Sequence, residues 1–307
     1  MLFFSAAILG GLVLLAFASE QFVVGAARIA TTLRMSPVVI GAVVIGAGTS
    51  LPELLVSGSA ALSGERDIAM GNVVGSTVAN LTLVLGAAAL VGGIPVARRT
   101  LGRDAPLATA GVLLLALVLL GGAITPVEGI VLVVAAIVAF LLILKTGTKG
   151  DVAAPETTGA PLMTESLRTL GGLVGTLAGA NLMVFGASGT ADELGLSEGF
   201  VGLTLVALGT SLPELFTGLQ AARKGSTDLV LGNVLGSNMF NCLAIGGAVG
   251  ILAPGAIASS VAVTGSAAMV TASLLVVALM ATSSRISRIE GAVLLAGYAI
   301  VVPILLI

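Results

Sequence analysis

Two glutamates, Glu53 and Glu214, each lie deep inside a long apolar run. A carboxylate at the centre of a membrane helix costs at least about 2.5–3.5 kcal/mol on insertion scales, so one that is kept normally serves a function. Both belong to the same string, Gly-Thr-Ser-Leu-Pro-Glu-Leu, at Gly48–Leu54 and again at Gly209–Leu215. Thr49 precedes Glu53 by four residues and Ser50 by three, which on a helix puts all three on one side; Thr210, Ser211 and Glu214 repeat the arrangement. Pro52 and Pro213 each remove an amide and clash one turn back, which frees carbonyls near Gly48 and Gly209. A freed carbonyl in a membrane must find a partner, and a cation is one. A second string, Gly71–Asn80, returns as Gly232–Asn241 and supplies Ser76 with Asn80 and Ser237 with Asn241. Its glycines, Gly71, Gly75, Gly232 and Gly236, let another helix approach closely. The inventory is all oxygen: carboxylates, hydroxyls, amides and backbone carbonyls. Such sites suit hard ions such as Ca²⁺ and Na⁺ rather than soft transition metals.

Each assignment has a plainer competitor. A buried base could neutralise the glutamates, but no Lys or Arg lies in a central span region near them. The Thr and Ser hydroxyls could bond back to their own helix, and Asn80 and Asn241 could be interhelical glue. Glu20, whose repeat mate is Asn181, reads as an interfacial charge. Glu128 and Glu290, at span starts, read as solvated or capping residues, and Glu65 with Asp67 as a solvated outside loop. Cys242 reads as a small core residue. As the single cysteine in a chain without histidine, it leaves no disulfide, no Cys-based metal cluster and no imidazole chemistry.

Elements that span a bilayer must carry these groups. The 307-residue chain is 57% hydrophobic and 9% charged, with a mean hydropathy of +1.18, whereas a soluble domain carries about a quarter charged residues. Abundant Gly and scarce aromatics favour an all-α membrane protein of closely packed helices over a barrel. Spans of about 20 apolar residues are expected at 2–27, 37–62, 69–92, 105–123, 127–144, 167–188, 199–221, 229–252, 257–281 and 290–307. The first of these reads as a retained span, not a signal peptide. A polar stretch rich in Gly, Thr and Pro makes 146–165 a cytoplasmic linker between a first half, 1–145, and a second, 166–307. At an offset of 161, Gly41–Gly86 matches Gly202–Gly247 at 19 of 46 positions, against about five by chance, which marks an internal duplication. Twelve of 13 Lys and Arg fall in alternate connections, with Arg66 alone on the other side. That charge bias predicts a cell membrane protein with both termini extracytoplasmic. Five spans per half then insert the second half upside down, as in transporters built from inverted repeats. A net charge of -2 gives no reason to expect a nucleic-acid partner; the expected partners are the lipid bilayer and small cations, with no cofactor, for a monomer.

The paired strings, GTSLPEL followed by GNVVGS in two inverted copies, resemble the alpha repeats of sodium/calcium exchangers of the cation/calcium exchanger superfamily, prokaryotic type. The resemblance extends over nearly the whole chain. It implies alternating access, with the first and sixth spans sliding across a core of the other eight. It also implies that Thr49, Ser50, Glu53, Ser76 and Asn80, with Thr210, Ser211, Glu214, Ser237 and Asn241, line the ion sites, together with backbone carbonyls of Gly46 and Ala207. Many relatives carry Asp at one of the two Asn positions; here Asn80 and Asn241 are both neutral, and Thr77 stands opposite Asn238. The formal site charge is then -2 rather than -3. The long regulatory insert of some relatives is absent. The expected activity is electrogenic Na⁺/Ca²⁺ antiport. H⁺/Ca²⁺ or K⁺-dependent exchange is the alternative, though proton-coupled relatives usually carry a Glu soon after the Gly-Asn pair and this chain has none there. An intramembrane enzyme is disfavoured because Ser50 and Ser211 lack an adjacent base, and a channel because of the inverted repeat.

Overall fold

In the computed structural model, the structure describes residues 2–146, 161–193 and 207–305, which are almost entirely helical. A long first helix, α1 (Leu2–Thr32), precedes a pair, α2 (Pro37–Thr49) and α3 (Leu51–Leu62), bent by 44° at Ser50. Then come α4 (Arg66–Gly92), α5 (Thr100–Leu119), α6 (Pro126–Thr146) and α7 (Leu162–Glu193). They are followed by α8 (Ala207–Thr210), α9 (Leu212–Arg223), α10 (Thr227–Leu252), α11 (Ser260–Ser283) and α12 (Arg288–Leu305). Among the described residues, seven helices are long and apolar enough to cross a membrane, and the bent pair makes an eighth. Of the remaining expected spans, 199–221 corresponds to α8 and α9, with 199–206 lying outside the described residues, and 290–307 corresponds to α12. The helix α7 starts at Leu162, so the last residues of the expected linker are helical; Glu165 there is buried and pairs with Arg28 at 2.9 Å. Large apolar side chains such as Leu117, Ile130, Val134 and Leu170 face outward, as lipid requires.

The helices α4 and α10 form the centre: 78% of their apolar stretch is buried, against 28% for α1, α6 and α7. Several elements recur at close to the sequence offset. π-helical turns occupy Asn80–Val84 and Phe240–Ile245, and again Thr100–Asp104 and Ser260–Gly265. Four two-residue strands knit the halves together: β1 (Ile94–Pro95) pairs antiparallel with β4 (Arg285–Ile286), and β2 (Ala123–Ile124) with β3 (Gly255–Ala256). Glu128 and Glu290 each accept from the backbone at the start of a helix, from Thr125 and Ser287, whose hydroxyl oxygens in turn accept from the glutamate amides. These are capping boxes, as their positions suggested. Asp67, by contrast, is no mere solvated loop charge: its carboxylate accepts the Ala258 amide at 2.8 Å.

Small residues let backbones meet. The antiparallel pair α1 and α7 interlocks through glycines in a single register: Gly11 against Gly179 and Met183, Gly25 against Thr169, and Gly186 against Ile8. A side chain at Gly172 would stand 2.6 Å from the Phe22 Cα, whereas at Gly171 it would meet nothing within 4 Å. Overfilling a packed contact costs about 1–3 kcal/mol, while Ala is about 1 kcal/mol better than Gly on an open helix face. Gly172→Ala should therefore lower the melting temperature of the detergent-solubilised protein and Gly171→Ala should not. Equal melting of the two variants would remove the backbone contact from the account.

Candidate cation site

Both glutamates sit where a helix restarts. Ser50 (φ -82°, ψ 10°) and Ser211 (φ -87°, ψ 0°) leave helical geometry in the same way, and Leu51-Pro52-Glu53 and Leu212-Pro213-Glu214 begin α3 and α9. Pro at the second position tolerates the helix start because it has no amide to satisfy. Each carboxylate thus occupies a first turn, where the aligned backbone dipoles favour negative charge. On the other side, α2 lies directly against α10. A Cβ on Gly41 would stand 2.9 Å from the Gly232 Cα, and one on Gly46 2.8 Å from the Ser237 amide nitrogen. These glycine contacts bring the Thr49–Ser50 break of the first half against Ser237 of the second.

Glu53 and Glu214 are fully buried and are electrostatic neighbours. Glu53 also faces the Thr210 and Ser76 hydroxyls, and Glu214 those of Ser50 and Thr49. The Ser50 hydroxyl donates to Glu214 Oε1 at 2.9 Å, a bond that crosses between the halves. Among the described residues no base pairs with either glutamate: the ion pairs are Arg28–Glu165, Arg168–Glu165, Arg103–Asp104 and Lys224–Glu20. Lys224–Glu20 is half-exposed, in keeping with Glu20 as an interfacial charge. Among the described residues, both Glu53 carboxylate oxygens, Glu214 Oε2, the Ser211 hydroxyl and the side-chain amides of Asn80, Asn238 and Asn241 are buried without hydrogen-bond partners. Unpartnered polar atoms this numerous are costly in an apolar interior, and they lie on the residues of the two repeated strings.

Three of the hydroxyls present their lone pairs rather than their hydrogens. Thr49 donates to the Ile45 carbonyl at 2.9 Å and Ser237 to the Gly46 carbonyl at 3.1 Å. With Ser50 committed to Glu214, each of these three has directed its single hydrogen at a protein acceptor, and its oxygen remains an electron-pair donor. Back-bonding at Thr49, weighed above as a competitor to ligation, is compatible with it. The Gly46 carbonyl accepts from the Ser50 amide at 3.2 Å as well as from Ser237, so Gly46 rather than Gly48 carries the carbonyl seen at the interface with α10. Ser76 and Thr210 are buried. Ala207 opens α8, and its surroundings lie outside the described residues. Asn80 and Asn241 stand at the two equivalent π-helical turns, a helix irregularity frequent at functional sites. Cys242 is fully buried beside Thr77, with Oγ1 and Sγ 3.3 Å apart.

Three asparagines were passed over in the sequence. Asn238 was noted only as the counterpart of Thr77, yet both its amide atoms are buried and unpartnered. Asn72 and Asn233 hydrogen-bond the backbone carbonyls of Glu53 and Glu214. The repeated Gly-Asn dipeptide that opens the second string was the available signal. No three His, Cys, Asp or Glu side chains converge among the described residues. The arrangement offers two carboxylates and many neutral oxygens, able to hold a cation without a resident metal's thiolate or imidazole cage.

Comparison with known proteins agrees with this chemistry. A family model described as sodium/calcium exchanger protein matches residues 3–145 and 167–307. The putative antiporter CaxA of Alkalimonas amylolytica is 39% identical over 95% of both chains. The sodium/calcium exchanger MaX1 of Methanosarcina acetivorans is 30% identical over 94% of both. A structure of the sodium-calcium exchanger NCX_Mj soaked with Na⁺ and Ca²⁺ superposes with a TM-score of 0.87 at 35% identity, covering 98% of this chain and 97% of that one. With matches of this extent in sequence and in fold, the chain is a multi-pass membrane protein of the sodium/calcium exchanger family.

Proposed function

We propose that the protein exchanges Na⁺ for Ca²⁺ by alternating access, with three Na⁺ moving against each Ca²⁺. The observation that carries this reading is the buried group of unpartnered oxygens around two carboxylates that no base neutralises. Ca²⁺ takes about six to eight oxygens, and two carboxylates balance its charge. The ligand set proposed is Glu53, Glu214, Thr49, Ser50, Thr210, Ser211, Ser76, Asn80, Ser237 and Asn241, with the carbonyls of Gly46 and Ala207; Asn238 joins it on its unpartnered amide. The stoichiometry follows from energy. A tenfold Na⁺ gradient is worth about 1.4 kcal/mol per ion, and one charge crossing 100 mV about 2.3 kcal/mol. Two Na⁺ per Ca²⁺ would support only about a hundredfold Ca²⁺ gradient, whereas three supply about 6.5 kcal/mol and support four to five decades.

The architecture proposed is ten spans in two inverted five-helix repeats, 1–145 and 166–307, joined by a cytoplasmic linker at 146–165, in a monomer with both termini extracytoplasmic. The recurrence of the helix breaks, π-helical turns and two-residue strands at nearly one offset supports the repeat. The α1–α7 pair corresponds to the first and sixth spans, the sliding element implied by the family resemblance.

Proteoliposomes loaded with Na⁺ should take up ⁴⁵Ca²⁺ and generate current, while K⁺ loading or an imposed pH gradient should not drive uptake. Glu53→Gln and Glu214→Gln should each abolish the flux, because either change removes both charge and a bidentate contact. Uptake that ignores membrane potential, or near-normal flux in either variant, would be evidence against the reading.

Orientation is testable separately. With the basic residues gathered on alternate connections, a cysteine introduced at Gly150 should react with an impermeant thiol reagent only from the cytoplasmic side. One at Glu65 should react only from outside. The opposite labelling pattern would reverse the proposed topology.

A further inference from the structure

The Gly-Asn pair of the second string has no part in the ligand set above, yet its asparagines touch the two residues that matter most. Asn72 on α4 donates through Nδ2 to the Glu53 carbonyl at 3.4 Å and to the Ser57 hydroxyl at 3.0 Å. Asn233 on α10 donates through Nδ2 to the Glu214 carbonyl at 3.3 Å and to the Thr217 hydroxyl at 3.3 Å. Because a backbone carbonyl can only accept, both amides have their nitrogen fixed toward the glutamate backbone and their oxygen turned away. The hydroxyls are locked in turn: Ser57 donates to the Ala69 carbonyl at 3.1 Å and Thr217 to the Pro213 carbonyl at 2.7 Å. Each asparagine therefore bolts the first turn of a glutamate-bearing helix to the long central helix that follows it.

The two bolts differ. The freed oxygen of Asn233, which is fully buried, lies 3.4 Å from the Thr49 hydroxyl, where it shares with Ile45 the hydrogen that hydroxyl offers. One carboxamide thus joins the backbone of Glu214 to a side chain on the far side of the site. Thr49 has a single hydrogen and three acceptors in reach: Ile45, Gly46 and Asn233. Asn233 helps set the direction in which its lone pairs point.

We propose that Asn72 and Asn233 are positioning residues that fix how far Glu53 and Glu214 project into the cation site, and that Asn233 also couples Thr49 to Glu214. The inference rests on the exchange reading above and extends it from which groups bind the ion to what sets the size of their cage. A cage held at fixed width discriminates between Ca²⁺ and the larger Sr²⁺; a loosened one does not.

The test uses the full-length protein in proteoliposomes, with ⁴⁵Ca²⁺ flux and Ca²⁺- and Sr²⁺-induced thermal shifts of the purified protein. The parent first shows whether exchange occurs at all, so failure of the function reading appears before any variant is compared. In Asn72→Ala and Asn233→Ala the KM for Ca²⁺ should rise about ten- to a hundredfold, the usual cost of losing an outer support of a metal ligand. The preference for Ca²⁺ over Sr²⁺ should fall in both readouts, with cation-free melting little changed. Should an alanine variant fail to fold, Asn72→Ser and Asn233→Ser, which keep a shorter donor, carry the same measurements. Combined with Thr49→Ala, the Asn233 change should be non-additive in KM and the Asn72 change additive. Unchanged KM and ion preference, or a loss of activity that follows lower melting while the preference stays intact, would overturn the proposal, as would additivity of Asn233 and Thr49.

Discussion

The structure turns on two carboxylates buried without a base. Glu53 and Glu214 have no cationic side chain beside them among the described residues, and three of their four carboxylate oxygens have no hydrogen-bond partner. Isolated charges in an apolar interior are expensive enough that the surroundings must be built around them. A protein partner would make them permanently satisfied. Their lack of one fits the role proposed for them, accepting a cation and then releasing it. Thr49, Ser50 and Ser237 direct their hydroxyl hydrogens at protein acceptors, and among the described residues the amides of Asn80, Asn238 and Asn241 have no hydrogen-bond partner.

Holding such groups in place needs irregular backbone, which a membrane tolerates only where it is enclosed by protein. The helix breaks at Ser50 and Ser211 lie against α4 and α10, the two most enclosed helices. Glycine makes the enclosure possible. With Gly41 and Gly46 on α2 facing Gly232 and Gly236 on α10, the two backbones come close enough for Ser237 to reach the Gly46 carbonyl. The site is thus a consequence of close packing as well as of its polar residues.

Near-symmetry of scaffold coexists with asymmetry of chemistry. The breaks, the π-helical turns and the two-residue strands recur at nearly one offset, and each strand pair takes one strand from either side of the linker. The contacts do not recur: Ser50 donates to Glu214, whereas among the described residues its counterpart Ser211 has no hydrogen-bond partner, and Thr77 stands where the second string has Asn238. Small differences between the two matched strings are enough to give the two glutamates different neighbours.

Much of this was legible in the sequence because the relevant constraints are local or periodic. Apolar runs of bilayer length announced the membrane, matched strings announced the recurring helix breaks and π-helical turns, and Pro beside Glu announced where the helices restart. Intramembrane carboxylates could be singled out because lipid makes them costly wherever they occur. The capping roles of Glu128 and Glu290 were also visible, since a capping box spans only four residues. What required the tertiary structure were contacts between residues far apart in the chain. The bond from Ser50 to Glu214, the Gly46 carbonyl facing Ser237 and the anchorage of Asp67 on Ala258 join residues 164 to 191 positions apart. The asparagines of the Gly-Asn pairs escaped notice for the same reason: an amide in a small-residue helix reads as glue until its partner is known. Spacing shows which side chains share a face, whereas only packing shows what that face meets and which lone pairs it leaves open.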